Sequence, residues 1–156
     1  MSDVKIPDVN SDYVIIINKA RASELEKQKL PTVIDSNYIK DINSFLFFGV
    51  KGIDYNPGTF RKPSSLKNDI NISSRELSNG ETIYSMRSYM DEVALNRFDN
   101  VLRNIDIKAL SSLNTDQFTK SISEIYSTLD YTHPFIDTNS RTFRTFTKNG
   151  SKSSWI

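Results

Sequence analysis

The chain of 156 residues has the length of one domain, and its 37% hydrophobic and 25% charged residues are typical of a folded protein rather than a disordered one. A net charge of +1 argues against general binding to nucleic acid or to an anionic membrane surface. The chain has no cysteine and a single histidine, His133, which excludes disulfides, thiol chemistry and any site built from two imidazoles.

The N-terminal region lacks the signals of export or membrane insertion. Its longest apolar run covers residues 14–17. A signal-peptide core needs about seven apolar residues and a membrane span about twenty. We therefore predict a protein that is made in the cytoplasm and does not enter a membrane, and we leave secretion into a host cell by a signal-free route open.

The first half of the chain predicts two helices. Ala20, Ala22 and Leu25, next to a charged face, predict a helix over residues 17–28. Asp35 and Ser36 are N-cap residue types, and a stripe with helical spacing follows them: Tyr38, Ile39, Ile42, Phe45 and Leu46. Residues 62–82 are rich in serine, asparagine and lysine and predict a loop, with a short hairpin around residues 81–86.

The second half predicts further helices with capping signals. Ser88 and Asp91 resemble a capping box, as do Asn114 and Gln117. Apolar stripes follow both pairs, the second formed by Phe118, Ile122, Ile125 and Leu129. The sequence therefore predicts a mainly helical, all-α domain of about five or six helices. We expect a single domain over residues 1–156, with a core over residues 17–148 and a polar tail over residues 149–156.

The segment after the last stripe is dense in functional side chains. It contains His133, Asp137, Thr138, Asn139, Ser140, Arg141 and Arg144. A helix that begins near Asn139 would direct unpaired N–H groups at an anion, and the two arginines would suit a di- or triphosphate. Asp137 is an oxygen ligand of the kind that Mg2+ prefers, and an imidazole at position 133 could accept a proton from an attacking hydroxyl.

The segment HPFIDTNSRTFR resembles the signature of Fic domains, HPFx[DE]GNGRxxR, and matches seven of its nine specified positions. The resemblance extends over roughly residues 20–147. It includes a Gly-x-[FI]-Arg turn, here Gly58 to Arg61, and a hairpin called the flap. It implies a compact helical Fic domain with a short β-hairpin flap, and a nucleotidyltransferase that moves AMP from ATP to a hydroxyl side chain of a target protein.

The resemblance also implies residue roles. His133 would deprotonate the target hydroxyl, and Asp137 would hold Mg2+. Asn139 and the backbone amides from Thr138 through Ser140 to Arg141 would bind the α-phosphate, while Arg141 and Arg144 would bind the β- and γ-phosphates. The flap residues Ile83, Tyr84 and Ser85 would pair with the target.

Fic domains are commonly restrained by a helix with the pattern [ST]xxxE[GN]. The nearest match here, residues 88–93, lacks the last residue type, and we interpret it as an ordinary helix start. Restraint would then come from a separate small antitoxin protein that pairs with Arg144, which would make this chain the toxin of a toxin–antitoxin pair.

Thr138 departs from the signature, which has glycine at this position. Either its φ is negative or the anion site is distorted, and we expect weaker activity than with glycine. A catalytically weakened or inactive Fic-like binding module therefore stays open, as does a relative that transfers another phosphate-containing group. Arg61, Lys62 and Lys67 are expected to form a solvated loop rather than a nucleic-acid site.

Overall fold

A computed structural model describes residues 11–53, 55–62, 72–88 and 90–149. Within these residues the chain forms six helices and two strands, as the sequence predicts for a mainly α fold. They are α1 (Asp12–Glu26), α2 (Ser36–Phe47), β1 (Ile72–Glu76), β2 (Thr82–Met86), α3 (Glu92–Arg103), α4 (Ile107–Ser111), α5 (Thr115–Thr132) and α6 (Asn139–Asn149). The predicted tail beyond Asn149 lies outside the described residues. No helix in the described part of the chain is long and apolar enough to cross a bilayer.

Side-chain caps fix where most of the helices begin. Asp35 accepts a hydrogen bond from Tyr38 N at 3.0 Å, as predicted. Asn114 and Gln117 form the predicted capping box at the start of α5. The first helix begins earlier in the chain than the predicted residue 17, because the Ser11 hydroxyl accepts a hydrogen bond from Val14 N and α1 therefore begins at Asp12.

The predicted start of α3 at Ser88 is wrong. Asp91 is the cap, and its Oδ1 accepts a hydrogen bond from Ala94 N at 2.8 Å. Ser88 is used elsewhere, because its N–H donates to the carbonyl of Tyr131 at 2.8 Å. The short helix α4, capped by Asp106, was not predicted.

The hairpin extends further back along the chain than the sequence indicates. Strands β1 and β2 pair antiparallel, with Ile72 opposite Met86 and Glu76 opposite Thr82. Residues 72–76, predicted as loop, are therefore strand, because β2 supplies the backbone partners that a polar segment needs to form one. The predicted hairpin at residues 81–86 is confirmed as its second half.

The core lies between α1, α2, α3, α5 and α6, and its aromatic centre supports the functional segment from beneath. Phe135, Phe143 and Phe146 are at most 1% exposed, as the sequence predicts. The ring of Phe60 packs edge-on against Phe135, with centroids 5.2 Å apart, and against Phe98 at 5.6 Å. Burial of each such ring stabilises the fold by about 1.5–3 kcal/mol. The loop before α6 and α6 itself are thereby anchored to the core.

Candidate active site

The candidate site begins where α5 ends. His133 is the C-cap of α5 in the left-handed conformation (φ 48°, ψ 56°), and its N–H donates to Leu129 O at 3.2 Å. Pro134 follows and cannot continue the helix. The chain therefore turns sharply at the histidine and enters the loop that leads to α6.

Arg61 holds this turn in place. Its Nε donates to His133 O at 2.6 Å, and its Nη2 donates to Thr132 O at 3.0 Å and to Ser88 O at 2.8 Å. Its backbone N–H donates to Pro134 O at 2.7 Å. The expectation of a solvated Arg61 is wrong, because only 4% of the residue is exposed. Its charge lies against carbonyls at the C-terminus of α5, where the helix dipole favours a cation.

The imidazole of His133 is kept neutral by its surroundings. Burial is the main cause, and the positive charges of Arg87 and Arg61 add to it, so that the pKa of His133 falls to about 4. Arg87 itself forms an ion pair with Asp130 at 3.0 Å. A neutral imidazole at physiological pH is in the protonation state that a general base requires.

Asn139 locks the loop between α5 and α6. Its Oδ1 accepts a hydrogen bond from Phe135 N at 2.8 Å, and its Nδ2 donates to Phe135 O at 2.9 Å. The residue is only 2% exposed. The side-chain amide is thus engaged on the backbone of Phe135, and the backbone N–H of Asn139 is among the first amides of α6, which have no acceptor within the helix.

Thr138 has a positive φ of 67°, which excludes the alternative of a negative φ at this position. Its hydroxyl is bonded to Tyr55 OH and accepts a hydrogen bond from Asn43 Nδ2 at 3.0 Å. Its carbonyl accepts the first hydrogen bond of the helix, from Thr142 N at 3.1 Å. The threonine therefore takes the backbone conformation that glycine favours, with its hydroxyl bonded to α2 and to Tyr55.

One cavity brings the predicted motif residues together. It has a volume of about 230 Å3 and is lined by His133, Asp137, Thr138, Asn139, Ser140, Arg141 and Arg144. A second cavity of about 480 Å3 between α1 and α6 shares Arg141 and Arg144 with the first. Sites for whole drug-sized ligands measure about 300–1,000 Å3, so the smaller cavity suits a chain of phosphates rather than a complete nucleotide.

The two arginines are presented differently. Arg141 is half-buried, and its Nη1 donates to Asn18 Oδ1 at 3.3 Å. Asn18 is held in turn by a bond from its Nδ2 to Leu46 O at 2.9 Å. Arg144 is exposed, and its Nε donates to Ser140 O at 3.3 Å. Arg141 is therefore oriented by α1, whereas Arg144 lies at the mouth of the cavity.

Asp137 is suited to bind a metal ion, because its carboxylate is an oxygen ligand of the kind that Mg2+ prefers. It is exposed to the cavity, and its Oδ1 accepts a hydrogen bond from Thr138 N at 2.7 Å. Among the described residues there is no group of three or more acidic or histidine side chains that could hold a metal ion. Mg2+ that arrives with phosphates typically needs only one or two carboxylates, so the arrangement is compatible with such an ion.

The flap residues do not line this cavity within the described part of the chain. Ile83 and Tyr84 lie on β2 and are 43% and 72% exposed. Ser85 pairs with Ser73 in the hairpin, and its side chain falls outside the described part. The bond from Ser88 N to Tyr131 O ties the end of the flap to the last turn of α5, two residues before His133.

Comparison with solved structures identifies the fold. The N-terminal Fic domain of a VirB-translocated Bep effector from Bartonella quintana superposes on 90% of the chain with a TM-score of 0.60 and 20% identity. BepC from Bartonella tribocorum, solved with bound AMPPNP, covers 90% with a TM-score of 0.60 and 18% identity. The type IV secretion effector BepA covers 90% with a TM-score of 0.57 and 21% identity.

The chain has the Fic fold. It spans 47% to 66% of the length of these three structures. No family model and no curated protein matches the sequence. The resemblance carried by HPFIDTNSRTFR is thus confirmed at the level of the fold, and the motif residues occupy the loop and helix that build the cavity.

Three residues that support this candidate site are not predicted from the sequence. Asn18 orients Arg141, Asn43 binds Thr138, and Arg61 holds the backbone of His133. Two of them left a signal. Asn43 is a polar residue next to Ile42 in the apolar stripe of α2, and Arg61 ends the Gly-x-Phe-Arg turn on which part of the sequence resemblance rests.

Proposed function

We propose that the chain is a protein adenylyltransferase that moves AMP from ATP to a hydroxyl side chain of a target protein. The observation that carries the proposal is the cavity in which a neutral His133 meets Asp137, Arg141 and Arg144. A lone base, one carboxylate and two guanidinium groups at the start of a helix suit nucleotide transfer, because such reactions depend mainly on positioning and electrostatic stabilisation.

In the proposed reaction, the imidazole of His133 accepts the proton of the target hydroxyl. The freed oxygen attacks the α-phosphorus of ATP, and the bond from that phosphorus to the bridging oxygen of the β-phosphate breaks. Pyrophosphate leaves with the bonding electrons, and Arg141 and Arg144 hold its charge. The N–H groups at the start of α6 stabilise the negative charge on the α-phosphate oxygens. Mg2+ on Asp137, when bound, would neutralise phosphate charge.

The flap is the proposed docking element for the target. A strand presented at the edge of a two-stranded hairpin can pair with an extended segment through backbone hydrogen bonds. Ile83 and Tyr84 are exposed on β2 and would contact side chains of that segment, with Ser85 beside them. Replacement of Tyr84 by alanine should raise the KM for the protein target and leave the Kd for ATP unchanged.

The direct test is transfer of label from ATP. Incubation with α-labelled ATP, Mg2+ and a cell lysate should label a protein band, and His133→Ala should abolish the band. A band that survives in His133→Ala would overturn the proposal. A band seen with γ-labelled but not α-labelled ATP would instead indicate phosphoryl transfer, and mass spectrometry of the labelled protein would identify any other phosphate-containing group.

A second candidate is a Fic-like module that binds a nucleotide or a partner without turnover. The observation that favours it is the positive φ of Thr138, since a β-branched residue is strained in this conformation. Calorimetry with ATP and Mg2+ separates the two candidates. Binding without transfer to any protein in the lysate would favour the module.

We also propose that a small inhibitory protein regulates the site, as the antitoxin of a toxin–antitoxin pair. Arg144 is exposed, and the cavity that it shares with α1 is lined by Lys19 and Lys148 as well. An acidic helix would suit Arg144 and Lys19, whereas Lys148 is already paired with Glu26 at 3.0 Å. A co-purified partner that inhibits the wild type but not Arg144→Ala would support this role. The transfer reaction would take place in a cytoplasm, either of the producing cell or, after translocation, of a host.

A further inference from the structure

Asn43 is a buried polar residue that connects α2 to the start of α6. It is 0% exposed. Its Nδ2 lies 3.0 Å from Thr138 Oγ1, 3.0 Å from Thr142 Oγ1 and 3.2 Å from Tyr55 OH. Its Oδ1 accepts the N–H of Gly58 at 2.8 Å. Both polar atoms of this side chain are thus hydrogen-bonded, and the amide nitrogen contacts three hydroxyl groups.

Thr138 is bonded at every polar atom. Its N–H donates to Asp137 Oδ1 at 2.7 Å, and its carbonyl accepts from both N–H and Oγ1 of Thr142, at 3.1 and 3.0 Å. Its hydroxyl contacts Asp137 O as well as Asn43 and Tyr55. The residue is 6% exposed. A threonine in the left-handed region is strained, and these bonds offset the strain.

The location of this bonded threonine matters for the site. Thr138 lies between Asp137, which faces the cavity, and the amides of residues 139–141, which have no carbonyl four residues earlier within α6. The rotation of the peptide groups on both sides of Thr138 sets the direction of that carboxylate and of those N–H groups. A hydroxyl that is held in one position therefore sets the direction of both the Asp137 carboxylate and the amides of residues 139–141.

We propose that Asn43 and Thr138 form a positioning pair, in which the hydrogen-bonded threonine hydroxyl holds the turn before α6 in the geometry that binds phosphate. The inference rests on the proposed nucleotide-binding function, and it replaces the expectation that glycine at position 138 would serve better. In this chain the threonine and the asparagine together do what glycine does through its conformational freedom.

Two substitutions at one position test the pair. Thr138→Val keeps the β-branch and the volume but removes the hydroxyl, whereas Thr138→Ser keeps the hydroxyl. We expect Thr138→Val to weaken binding of ATP with Mg2+ by about five- to tenfold, the effect of one lost hydrogen bond, and Thr138→Ser to stay within about twofold of the wild type. In Thr138→Val, the KM for ATP should rise more than the KM for the protein target.

The matched control is Thr147→Val on the same helix. Among the described residues, the hydroxyl of Thr147 bonds within α6, to the carbonyls of Phe143 and Arg144, and not to the Asn43 network. This variant should leave ATP binding unchanged. Asn43→Ala should weaken ATP binding at least as much as Thr138→Val, because it also removes the contacts of Asn43 to Thr142 and Gly58. The losses of the two single variants should not add in the double variant, since the bond between Asn43 and Thr138 is counted in both.

A readout without nucleotide keeps the inference separate from the proposed function. Amide hydrogen exchange at Thr142, whose N–H donates to Thr138 O, should be about tenfold faster in ligand-free Thr138→Val than in the ligand-free wild type, and unchanged in Thr147→Val. Faster exchange in a protein that transfers no AMP would support the pair and overturn the function. Equal exchange and equal ATP affinity in Thr138→Val and the wild type, or faster transfer by Thr138→Gly, would overturn the pair.

Discussion

Arg61 donates from Nε to the backbone carbonyl of His133 at 2.6 Å, so that a buried guanidinium group holds the residue proposed as the catalytic base. The same group also binds the carbonyls of Thr132 and Ser88. Three segments that are distant in sequence, the turn ending at Arg61, the end of the flap and the end of α5, therefore meet at one side chain. The histidine loop is positioned by this arginine rather than by its own sequence alone.

Loss of this arginine should destabilise the fold. Arg61→Met leaves three buried carbonyls without their donor, and we expect a loss of about 2–4 kcal/mol in the free energy of unfolding. Arg61→Lys keeps the charge but reaches fewer of the carbonyls, so an intermediate loss is expected. Denaturant unfolding monitored by circular dichroism measures the loss of stability in each of the two variants.

Arg21 offers a matched control for this experiment. Its Nη1 also donates to three carbonyls, those of Phe45, Leu46 and Phe48, but at the surface of the protein. Water can replace those bonds, so Arg21→Met should lose less than about 1 kcal/mol. Equal losses in Arg21→Met and Arg61→Met would contradict the role assigned to the buried guanidinium.

The lowered pKa of His133 predicts how stability depends on pH. The unfolded histidine titrates near 6.5 and the folded one at about 4, so between these values the unfolded state binds more protons. Stability should therefore be constant above pH 6.5 with respect to this group and should fall as the pH decreases towards 4, by about 3 kcal/mol in total. His133→Gln should lack this pH-dependent loss of stability. Subtracting the free energy of unfolding of this variant from that of the wild type at each pH cancels the contribution of the carboxylates.

The titration can be observed directly, because His133 is the only histidine in the chain. Imidazole resonances followed by NMR should shift near pH 4. Arg87→Met should raise this pKa, since the positive charge of Arg87 is one of its causes. A midpoint near 6.5 in the folded wild type would show that the imidazole is more accessible to water than its burial implies.

The local parts of the fold could be predicted from the sequence because their causes are local. Asp35 caps α2 three residues ahead, and the pair Asn114 and Gln117 closes a capping box over the same distance. The motif residues share a cavity for a similar reason, since a tight loop and one helical turn hold them together.

The supporting contacts could not be predicted because they join distant segments. Asn43 binds Thr142 across 99 residues, and Arg61 binds His133 across 72. Their residue types are common on protein surfaces, and only the packing of α2 and the turn after it against α5 and α6 shows that they are buried. The positive φ of Thr138 is supported by the same contacts, so the sequence alone could not exclude a negative φ there.

Asn18 provides a test of how Arg141 is oriented. Asn18→Ala removes the contact to Arg141 Nη1 and the bond to Leu46 O, and it should lower stability by about 1–2 kcal/mol. It should also weaken binding of ATP several-fold, because Arg141 is proposed to hold the β-phosphate. Calorimetry with AMP is the control, since AMP lacks that phosphate and its affinity should not change. An equal loss for AMP and ATP would argue against the assigned role of Arg141.

Two glycines with positive φ allow the cost of backbone strain to be measured apart from the cost of a steric contact. Gly58 has a φ of 81°, and an added Cβ would lie 3.0 Å from Ser44 Cβ and 3.2 Å from Lys40 O. Gly80 has a φ of 87°, with nothing within 4 Å of such a Cβ. Gly80→Ala should therefore lose about 1 kcal/mol from backbone strain alone. Gly58→Ala should lose about 2–3 kcal/mol, because α2 must shift and the bond from Gly58 N to Asn43 must lengthen.

Thermal unfolding of the two variants measures the difference between these two losses of stability. Equal losses would mean that α2 yields to the added methyl group without disturbing the Asn43 network.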